Sequence, residues 1–433
     1  MLLYRAKNFF PTGHTANAQR SAKETSSFLS PFYSLPCMNI LENPWFFISL
    51  WMGGAFLAAL LAIKLRVPVA IVEILVGAAL SHFLDLSQPT EWMNFLSKLG
   101  ATMLCFIAGT EIEPEFFSQS WKKHLLSGSF SFLVPFTAIA LITHFFFQWQ
   151  PAQSLIAGIA LGTTSIAIVY TSLLERGIEN SSLGKTLLAS CFITDFGSVL
   201  TLGIFFTHWE LSSILFGLFA IILLWFFPKI LRSLLRFLKK SPVSEPEIKF
   251  VFFMLTFLGF LASMAKTEPV LPAFILGVLA ANSFSQDQLF RRRLRAVAYS
   301  ILTPFFFMKS GFHISFPMLV IGFIPLLLLT FLKTCFKIIG VLPYLLLEKH
   351  PLKESLFGSL LTSGGLTFGL IAAHYGIQNK ILSREIYSLI TLATLLSTLI
   401  PVFLAGLLLP RGEVPKEKKV FVKKELGEYE EEG

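Results

Sequence analysis

Charged residues are scarce in this chain of 433 residues: they make up 14% of the sequence, whereas hydrophobic residues make up 54%. Soluble domains carry about 25% charged residues, so the composition excludes a soluble enzyme. The mean hydropathy is +0.69. Hydrophobic windows of about twenty residues, each long enough to cross a bilayer as a helix, recur from residue 44 to residue 408. These features indicate a single polytopic membrane protein.

Cysteine and catalytic motifs are also scarce. The four cysteines show no CxxC spacing, and Cys105, Cys191 and Cys335 lie inside apolar windows. We therefore expect neither a disulfide framework nor a structural metal site. The chain contains no HExxH motif, nucleophile elbow or pair of catalytic acids, so we expect it not to be an enzyme and to hold no cofactor.

The net charge of +9 does not require a nucleic-acid partner. Lys and Arg lie in the short connections between apolar windows, where membrane topology explains them. Residues 1–43 form a leader that lacks the apolar core and the cleavage site of a signal peptide, and Met38 is the expected true start. Residues 409–433 form a short charged tail that is too short for a nucleotide-binding domain.

Hydropathy, interrupted at Pro, Gly and charge clusters, predicts about thirteen transmembrane helices. Alternate connections carry eighteen Lys and Arg residues on one side and only three, Lys266, Lys380 and Arg384, on the other. The positive-inside rule then predicts a multi-pass cell-membrane protein with a cytoplasmic C-terminus. The predicted spans cover residues 44–63, 66–84, 93–111, 124–148, 152–174, 186–206, 209–227, 248–265, 270–284, 296–311, 317–341, 354–376 and 386–408.

The longest connection, from Pro228 to Lys249, divides the helices into six, one linker helix and six. This division is typical of the inverted repeats of secondary transporters. In each half the fifth helix is interrupted by small and polar residues, at 162–165 and at 362–367. Broken helices at matched positions expose backbone groups that can bind an ion; close helix packing is the alternative explanation. The candidate ion-binding residues in these breaks are Thr163, Thr164, Ser363, Gly364, Gly365 and Thr367.

Asp195 is the strongest candidate for an ion-binding residue. It lies within the sixth predicted helix and is the only carboxylate between Lys185 and Glu210. A charge at this depth is costly unless it is paired or hydrated. Exclusion of water makes a carboxylate hold a proton more tightly, so that a proton and a monovalent cation can compete for it. The neighbouring Thr194 adds a hydroxyl group without a second charge. A structural aspartate bonded to a neighbouring backbone is the alternative.

Two lysines lie on one face of the eleventh predicted helix, Lys333 near its middle and Lys337 one turn later. A buried ammonium group needs a partner, so we predict that Lys333 pairs with Asp195 and competes there with the cation. The alternative is that the side chain reaches the cytoplasmic headgroups, which is the expected state of Lys337, an accessory residue at most. Lys309 and Lys98 are expected to reach the opposite headgroups.

Three further ionisable residues lie near predicted helix ends. Glu111, at the end of the third helix, is a candidate for attracting cations into a cytoplasmic funnel, with simple solvation as the alternative. His313 and His374 are expected to be surface histidines rather than pH sensors.

Four stretches of the chain have the order and spacing of motifs found in one transporter family. They are residues 99–112, residues 162–165 followed by 174–177, residues 273–280 and residues 304–311. Together they resemble the monovalent cation:proton antiporter superfamily, specifically its Kef-type and NapA-like sodium/proton exchangers, over about residues 44–408.

This resemblance implies an all-α, usually dimeric antiporter of thirteen helices, in which a core bundle with two crossed, broken helices moves against a scaffold. This is the NhaA/NapA-like antiporter fold. The resemblance also implies that Asp195 is the ion-binding aspartate and that Lys333 is the lysine found on the helix before the second broken one. Thr194 stands where the electrogenic members have a further aspartate, which leaves the stoichiometry open.

The sequence therefore predicts a secondary transporter that exchanges Na+ or K+ for H+ by alternating access, with Asp195 alternately protonated and cation-bound. Two other classes stay open. One is a Na+-coupled symporter of an organic anion, whose carboxylate would suit a helix N-terminus near Gly364 and Gly365. The other is a channel-like or regulated K+ efflux subunit without a protonation cycle. We expect the protein to form a homodimer and to have no nucleic-acid partner.

Overall fold

The computed structural model describes residues 44–65, 67–83, 91–111, 121–179, 181–206, 210–238, 245–265, 267–286, 288–315 and 321–409. The predicted leader with Met38, and the charged tail beyond residue 409, lie outside the described residues. The chain forms two units, Met1–Gly53 and Gly54–Gly433. In the first unit, the described residues begin the first helix, where the rings of Phe46 and Phe47 meet edge to face with centroids 5.9 Å apart. Every contact discussed below lies in the second unit.

Every regular element in these ranges is a helix. The helices are α1 (Pro44–Leu65), α2 (Val69–Phe83), α3 (Glu91–Thr110), α4 (Trp121–Phe145), α5 (Pro151–Gly162), α6 (Ile166–Leu174), α7 (Ser182–Phe206), α8 (Leu211–Leu238), α9 (Pro246–Met264), α10 (Val270–Gln286), α11 (Gln288–Val297), α12 (Thr303–Phe312), α13 (Phe323–Leu347), α14 (Leu352–Leu361), α15 (Thr367–Gln378) and α16 (Arg384–Leu408). A π-helical turn, Ala298–Leu302, joins α11 to α12.

The predicted spans and the observed helices overlap along the chain but differ at their ends. Each predicted span overlaps helix in the described residues. Among the described residues, eight helical stretches, with α5 and α6 taken together, are long and apolar enough to cross a membrane, and α2 and α10 are shorter apolar helices. The all-α membrane class is therefore confirmed, whereas the count of thirteen spans stays a prediction.

Large apolar side chains lie on the outside of several helices. On α8 the side chains of Ile221 and Trp225 are 63% and 69% exposed, while Phe227 and Leu231 of the same helix are fully buried. A soluble monomer rarely exposes so much apolar surface, whereas a bilayer core offers it a matching solvent. These outer faces suit contact with the hydrocarbon core of a membrane.

Two predicted connections contain helix among the residues that the structure describes. We expected a connection to begin at Pro228, but α8 continues through that proline to Leu238. A proline removes one backbone hydrogen bond and kinks a long helix without having to end it. The basic residues 291–293 and 295, expected in a connection, lie on α11. Phe290 and Leu294, one turn apart, are buried on its inner face, and this amphipathic spacing accounts for the helix.

Four helices, α2, α3, α10 and α12, pack against one another as a group that we call the scaffold. Glycines permit the closest approaches in it. A Cβ atom on Gly77 of α2 would overlap the backbone of Met308 on α12, and one on Gly277 of α10 would overlap the backbone of Phe106 on α3. The helix backbones in the scaffold are therefore in direct contact, as is common where helices pack in a membrane.

The helices α4 to α7 and α13 to α16 pack as a second group that we call the core. Here a Cβ atom on Gly340 of α13 would lie 2.7 Å from the backbone oxygen of Phe130 on α4, and one on Gly369 of α15 would lie 2.7 Å from that of Ala160 on α5. Both broken helices belong to this group. The site predicted from the sequence therefore lies in the core.

Candidate ion-binding site

The first helix break separates α5 from α6. Thr163 and Ser165 both adopt extended backbone conformations, with φ and ψ of −76° and 162° for Thr163 and of −95° and 113° for Ser165. The last carbonyl groups of α5 and the first amide groups of α6 are thereby released from helical hydrogen bonding. A second break separates α14, which ends at Leu361, from α15, which begins at Thr367.

The two breaks meet, although they are about two hundred residues apart in the chain. The hydroxyl group of Thr164 donates to the carbonyl oxygen of Thr362 at 2.9 Å. The backbone amide of Ser165 donates to the carbonyl oxygen of Gly364 at 2.6 Å. In a lipid environment each such bond satisfies a group that would otherwise be costly to bury. Each break is thus stabilised by the other.

Gly365 is required by this crossing. Its Cβ atom, if present, would overlap the carbonyl oxygen of Thr163 and lie 2.5 Å from the hydroxyl oxygen of the same residue. The hydroxyl group of Thr163 donates to the carbonyl oxygen of Gly365 at 3.4 Å and to that of Ala160 at 3.1 Å. Any side chain at position 365 would therefore push the two breaks apart.

The other predicted residues of the second break are less directly engaged. Ser363 is fully buried, and its hydroxyl group donates to the carbonyl oxygen of Ser359 in its own helix at 3.2 Å. Gly364 accepts the bond from the first break, and Thr367 begins α15 and is half-buried. The break therefore offers carbonyl groups more than free hydroxyl groups.

Asp195 lies on α7 and is only 4% exposed, so its predicted burial is confirmed. Its Oδ1 atom is buried and has no hydrogen-bond partner in the described residues. Thr194 is fully buried, but its hydroxyl group donates to the carbonyl oxygen of Cys191 at 2.7 Å, within its own helix. A buried carboxylate oxygen without a donor is costly, and such a group marks a place where a ligand would supply the missing interaction.

Lys337 donates hydrogen bonds near the first helix break and acts on Asp195 through its charge. Its Nζ atom donates to the carbonyl oxygen of Ser131 at 2.8 Å and to the hydroxyl oxygen of Thr164 at 2.7 Å. Its charge also acts on Asp195. The expectation that Lys337 reaches the headgroups is wrong, because the residue is fully buried. Its third acceptor is the Ser131 hydroxyl oxygen at 3.3 Å. These three acceptors satisfy the ammonium group inside the core, so it does not need lipid headgroups.

Lys333 is also fully buried, but the structure does not bring it into an ion pair with Asp195. Its Nζ atom has no hydrogen-bond partner in the described residues, and the charge that acts on it is that of Lys337. The lysine that faces the predicted ion site is therefore Lys337.

The site also contains polar residues that were not predicted from the sequence. Ser131 on α4 contributes two of the acceptors for Lys337. On α7, residues spaced by four positions form a buried polar stripe beside Asp195: Thr186, Ser190, Thr194 and Ser198. A four-residue polar period in an apolar helix is visible in the sequence and could have indicated this face.

Glu111, which follows α3, forms an ion pair with Arg295 of α11, with Oε1 and Nη2 2.6 Å apart. Burial raises the pKa of the Glu111 carboxyl group, and Arg295 and Arg291 oppose that shift. The carboxylate is 17% exposed and acts on Asp195 through its charge. Glu111 is thus paired rather than freely solvated.

The described residues contain no group of three or more His, Cys, Asp or Glu side chains that could hold a metal ion. A monovalent cation at Asp195 would instead be held by one carboxylate together with hydroxyl and carbonyl oxygens, which are the ligands that hard cations prefer. Such a set of ligands suits a cation that has to be released again after it binds.

Comparison with known proteins identifies the family. The family model described as "Sodium/hydrogen exchanger, transmembrane" matches residues 52–410, which include both breaks, Asp195 and both buried lysines of α13. The chain belongs to the sodium/hydrogen exchanger family.

Known proteins resemble this exchanger along most of its length. It is 25% identical to "Probable Na(+)/H(+) antiporter 3" of Methanocaldococcus jannaschii, over 84% of this chain and 96% of that protein. It is 27% identical to "Putative Na(+)/H(+) antiporter YjbQ" of Bacillus subtilis, over 84% of this chain and 63% of that protein. The solved structure of the sodium proton antiporter MjNhaP1 from Methanocaldococcus jannaschii shares the fold, with a TM-score of 0.65 and 18% identity, covering 86% of this chain and 98% of that one.

Two further expectations about this exchanger are wrong. Lys309 was expected to reach the headgroups, yet it is 1% exposed, and His374, expected at the surface, is 4% exposed. The Lys309 Nζ atom lies 3.4 Å from the His374 Nε2 atom. The half-helix α15 places the histidine there, and no local sequence pattern shows that it packs against α12.

Proposed function

We propose that this exchanger transports Na+ or K+ in exchange for H+ by alternating access, and that Asp195 binds the cation and the proton in turn. The observation that carries the proposal is the buried Asp195 Oδ1 atom without a hydrogen-bond partner. It lies in a helix bundle where Lys337, whose charge acts on the carboxylate, donates a hydrogen bond to Thr164 in the first of the two touching helix breaks. A buried acid of this kind in a membrane protein is expected to be functional.

In the ion-free state Lys337 would compensate the charge of Asp195. A cation entering the site would take over that role, with oxygens of the two breaks completing its shell. The candidates are the hydroxyl groups of Thr163 and Thr164 and the carbonyl oxygens between residues 362 and 365, which now bond to each other across the breaks. The partial charges of the half-helix ends, of both signs, favour a site that alternates between a charged and a neutral occupant. Lys333 would be a second, weaker counter-charge.

The relatives named above carry Na+/H+ antiporter names, which favours Na+ as one substrate without excluding K+, since both ions take oxygen ligands. We further propose that the protein is a homodimer in the cell membrane with its C-terminus in the cytoplasm. Residues 44–408 would form the exchanger domain, preceded by a leader and followed by a charged tail.

The decisive experiment measures proton flux in proteoliposomes with an imposed pH gradient, adding Na+, K+ and Li+ in turn. The wild type is compared with Asp195→Asn, which keeps the size of the side chain but cannot be ionised. Glu210→Gln, the same chemical change at an exposed carboxylate before α8, is the matched control. Elution from a size-exclusion column verifies that each variant is folded.

We expect cation-dependent dissipation of the gradient in the wild type and in Glu210→Gln, and its loss in Asp195→Asn. The cation that produces the largest flux identifies the preferred substrate. Retained exchange in a folded Asp195→Asn protein would remove Asp195 from the mechanism. Absence of a response to every cation in the wild type would contradict the exchange function itself.

A further inference from the structure

A proline lies in the interior of α4, one turn after Ser131 of the candidate site. This residue, Pro135, is buried. A proline has no backbone amide group, so the carbonyl group four residues earlier loses its helical donor, and the proline ring clashes with that carbonyl and kinks the helix. For Pro135 the released carbonyl group is that of Ser131. The sequence of α4 therefore leaves one buried carbonyl group that needs a donor from another element.

The donor is Lys337 of α13, whose Nζ atom lies 2.8 Å from the Ser131 carbonyl oxygen. Close packing of the two helices brings the lysine within reach. Gly340, three residues further along α13, leaves room for the Phe130 carbonyl oxygen, which lies 2.7 Å from the place that a Cβ atom would occupy. The Ser131 carbonyl oxygen, released by the proline on one helix, is thus bound by the lysine on another.

The other contacts of Lys337 use its remaining donors. An ammonium group has three N–H donors. Besides the Ser131 carbonyl oxygen, their acceptors are the Ser131 hydroxyl oxygen at 3.3 Å and the Thr164 hydroxyl oxygen at 2.7 Å. Among the described residues Lys337 forms no ion pair with Asp195, and the Asp195 Oδ1 atom has no hydrogen-bond partner. The ammonium group therefore acts on the carboxylate through its charge while other oxygens hold it.

We propose that Pro135 is a positioning residue for cation binding: it frees the Ser131 carbonyl group, which holds the Lys337 ammonium group close to Asp195 but out of contact with it. An ammonium group in contact with the carboxylate would occupy the place where the cation has to bind. Held nearby, it compensates part of the negative charge and leaves the carboxylate oxygens open.

Any other residue at position 135 would return an amide donor to the Ser131 carbonyl group and release one donor of Lys337. The released donor then binds Asp195 Oδ1, the buried carboxylate oxygen that lacks a partner, and a cation has to displace this contact before it can bind. The inference rests on the proposed function where it concerns cation binding. The shared carbonyl group itself can be tested without any transport.

The first experiment measures thermal unfolding of the full-length protein in detergent for the wild type, Pro135→Ala, Lys337→Met and the double variant. In Lys337→Met the Ser131 carbonyl group has no donor, so the new amide at position 135 supplies a missing hydrogen bond. In the wild type it only replaces the bond from Lys337. We expect Pro135→Ala to raise the unfolding temperature by at least about 2 °C more in Lys337→Met than in the wild type. Equal changes in both backgrounds would overturn the proposal.

The second experiment measures how proton flux in proteoliposomes depends on the concentrations of Na+ and K+. We expect Pro135→Ala to raise the apparent KM for the transported cation about fivefold, the effect of one net hydrogen bond. The maximal rate should stay within about twofold of the wild type, because a saturating cation displaces the ammonium group. Pro228→Ala, the same change inside α8, is the matched control and should alter neither quantity.

Pro135→Val returns the same amide with a larger side chain and serves if Pro135→Ala fails to fold. An unchanged KM in a folded variant, or a lower maximal rate at unchanged KM, would overturn the proposal, because Pro135 would then only shape its helix. Non-additive unfolding temperatures in a protein whose wild type shows no cation-dependent flux would uphold the shared carbonyl group and contradict the exchange function instead.

Discussion

The two buried lysines of α13 show how much depends on single contacts. Lys333 and Lys337 are both fully buried, one helical turn apart. Only Lys337 has acceptors, in Ser131 and Thr164, and only its charge acts on Asp195. A buried ammonium with three acceptors can stay charged, whereas one without acceptors pays the full cost of burial. The two residues are therefore expected to differ strongly when mutated.

We predict that Lys337→Met lowers the rate of exchange at pH 7 at least tenfold and shifts half-maximal activity to higher pH. Without the neighbouring positive charge, Asp195 holds its proton more tightly and releases it for a cation only in more alkaline solution. The pH dependence of cation-driven proton flux in proteoliposomes measures both effects. Lys333→Met is the matched control, and a larger shift in that variant would contradict the assignment.

Thr164 supports the site in a way that stability measurements can detect. In Thr164→Val the size is conserved, but the Lys337 ammonium group loses an acceptor and the Thr362 carbonyl group loses a donor. We expect a loss of about 1 to 3 kcal/mol in the free energy of unfolding, seen as a lower temperature of thermal unfolding in detergent. Thr171→Val, at an exposed position of α6 where the hydroxyl bonds to its own helix, should change that temperature little; equal effects would argue against the crossing bonds.

At the scale of elements, the crossing of the two broken helices is the feature that positions every candidate residue. Each break leaves backbone groups that a continuous helix would satisfy, and the other break supplies their partners. The contact requires the backbones to approach more closely than any side chain would allow. Gly365 therefore has a structural task that Gly364, one position earlier, does not share.

We predict that Gly365→Ala disrupts the crossing and Gly364→Ala does not. The new Cβ atom at position 365 would overlap backbone atoms of Thr163, whereas at position 364 its nearest neighbour is the Val402 side chain at 3.2 Å. Forced overpacking costs about 1 to 3 kcal/mol, and here it also displaces the candidate cation ligands. Gly365→Ala should lower both the unfolding temperature and the exchange rate. Comparable losses in the two variants would contradict the close contact.

At the scale of the whole molecule, the site contains one carboxylate that could exchange a proton for a monovalent cation. Thr194 adds no charge, and the described residues place no second acid in contact with Asp195. Glu111, whose charge does reach Asp195, is paired with Arg295. One carboxylate that binds either one H+ or one monovalent cation carries the same charge in both directions of transport.

We therefore predict one-for-one, electroneutral exchange. A membrane potential of 100 mV is worth about 2.3 kcal/mol for each net charge moved, which would shift the point of zero net flux almost fifty-fold in cation gradient if one charge crossed per cycle. Measuring that point in proteoliposomes with and without an imposed potential decides the matter. A shift with potential would show that another group, with Lys337 as the first candidate, also gives up its proton during the cycle.

The sequence already predicted much of the fold, and the reason is the membrane. Every backbone group in lipid has to be satisfied within its own helix or at a protected break, so apolar length alone locates helices. Each predicted span overlaps a helix. The ends were less predictable, as α8 and α11 show, because a proline or an arginine cluster interrupts hydropathy without interrupting a helix whose inner face is packed.

The sequence by itself determined the membrane class, the places of the two breaks and the burial of Asp195, because each follows from the cost of polar groups in lipid. Only the tertiary structure decided which buried groups meet. It joined the breaks to each other, gave Asp195 the influence of Lys337 rather than Lys333, and buried Lys309 against His374. Such pairings depend on how helices distant in the chain rotate and pack, and the pattern of any single helix does not contain that information.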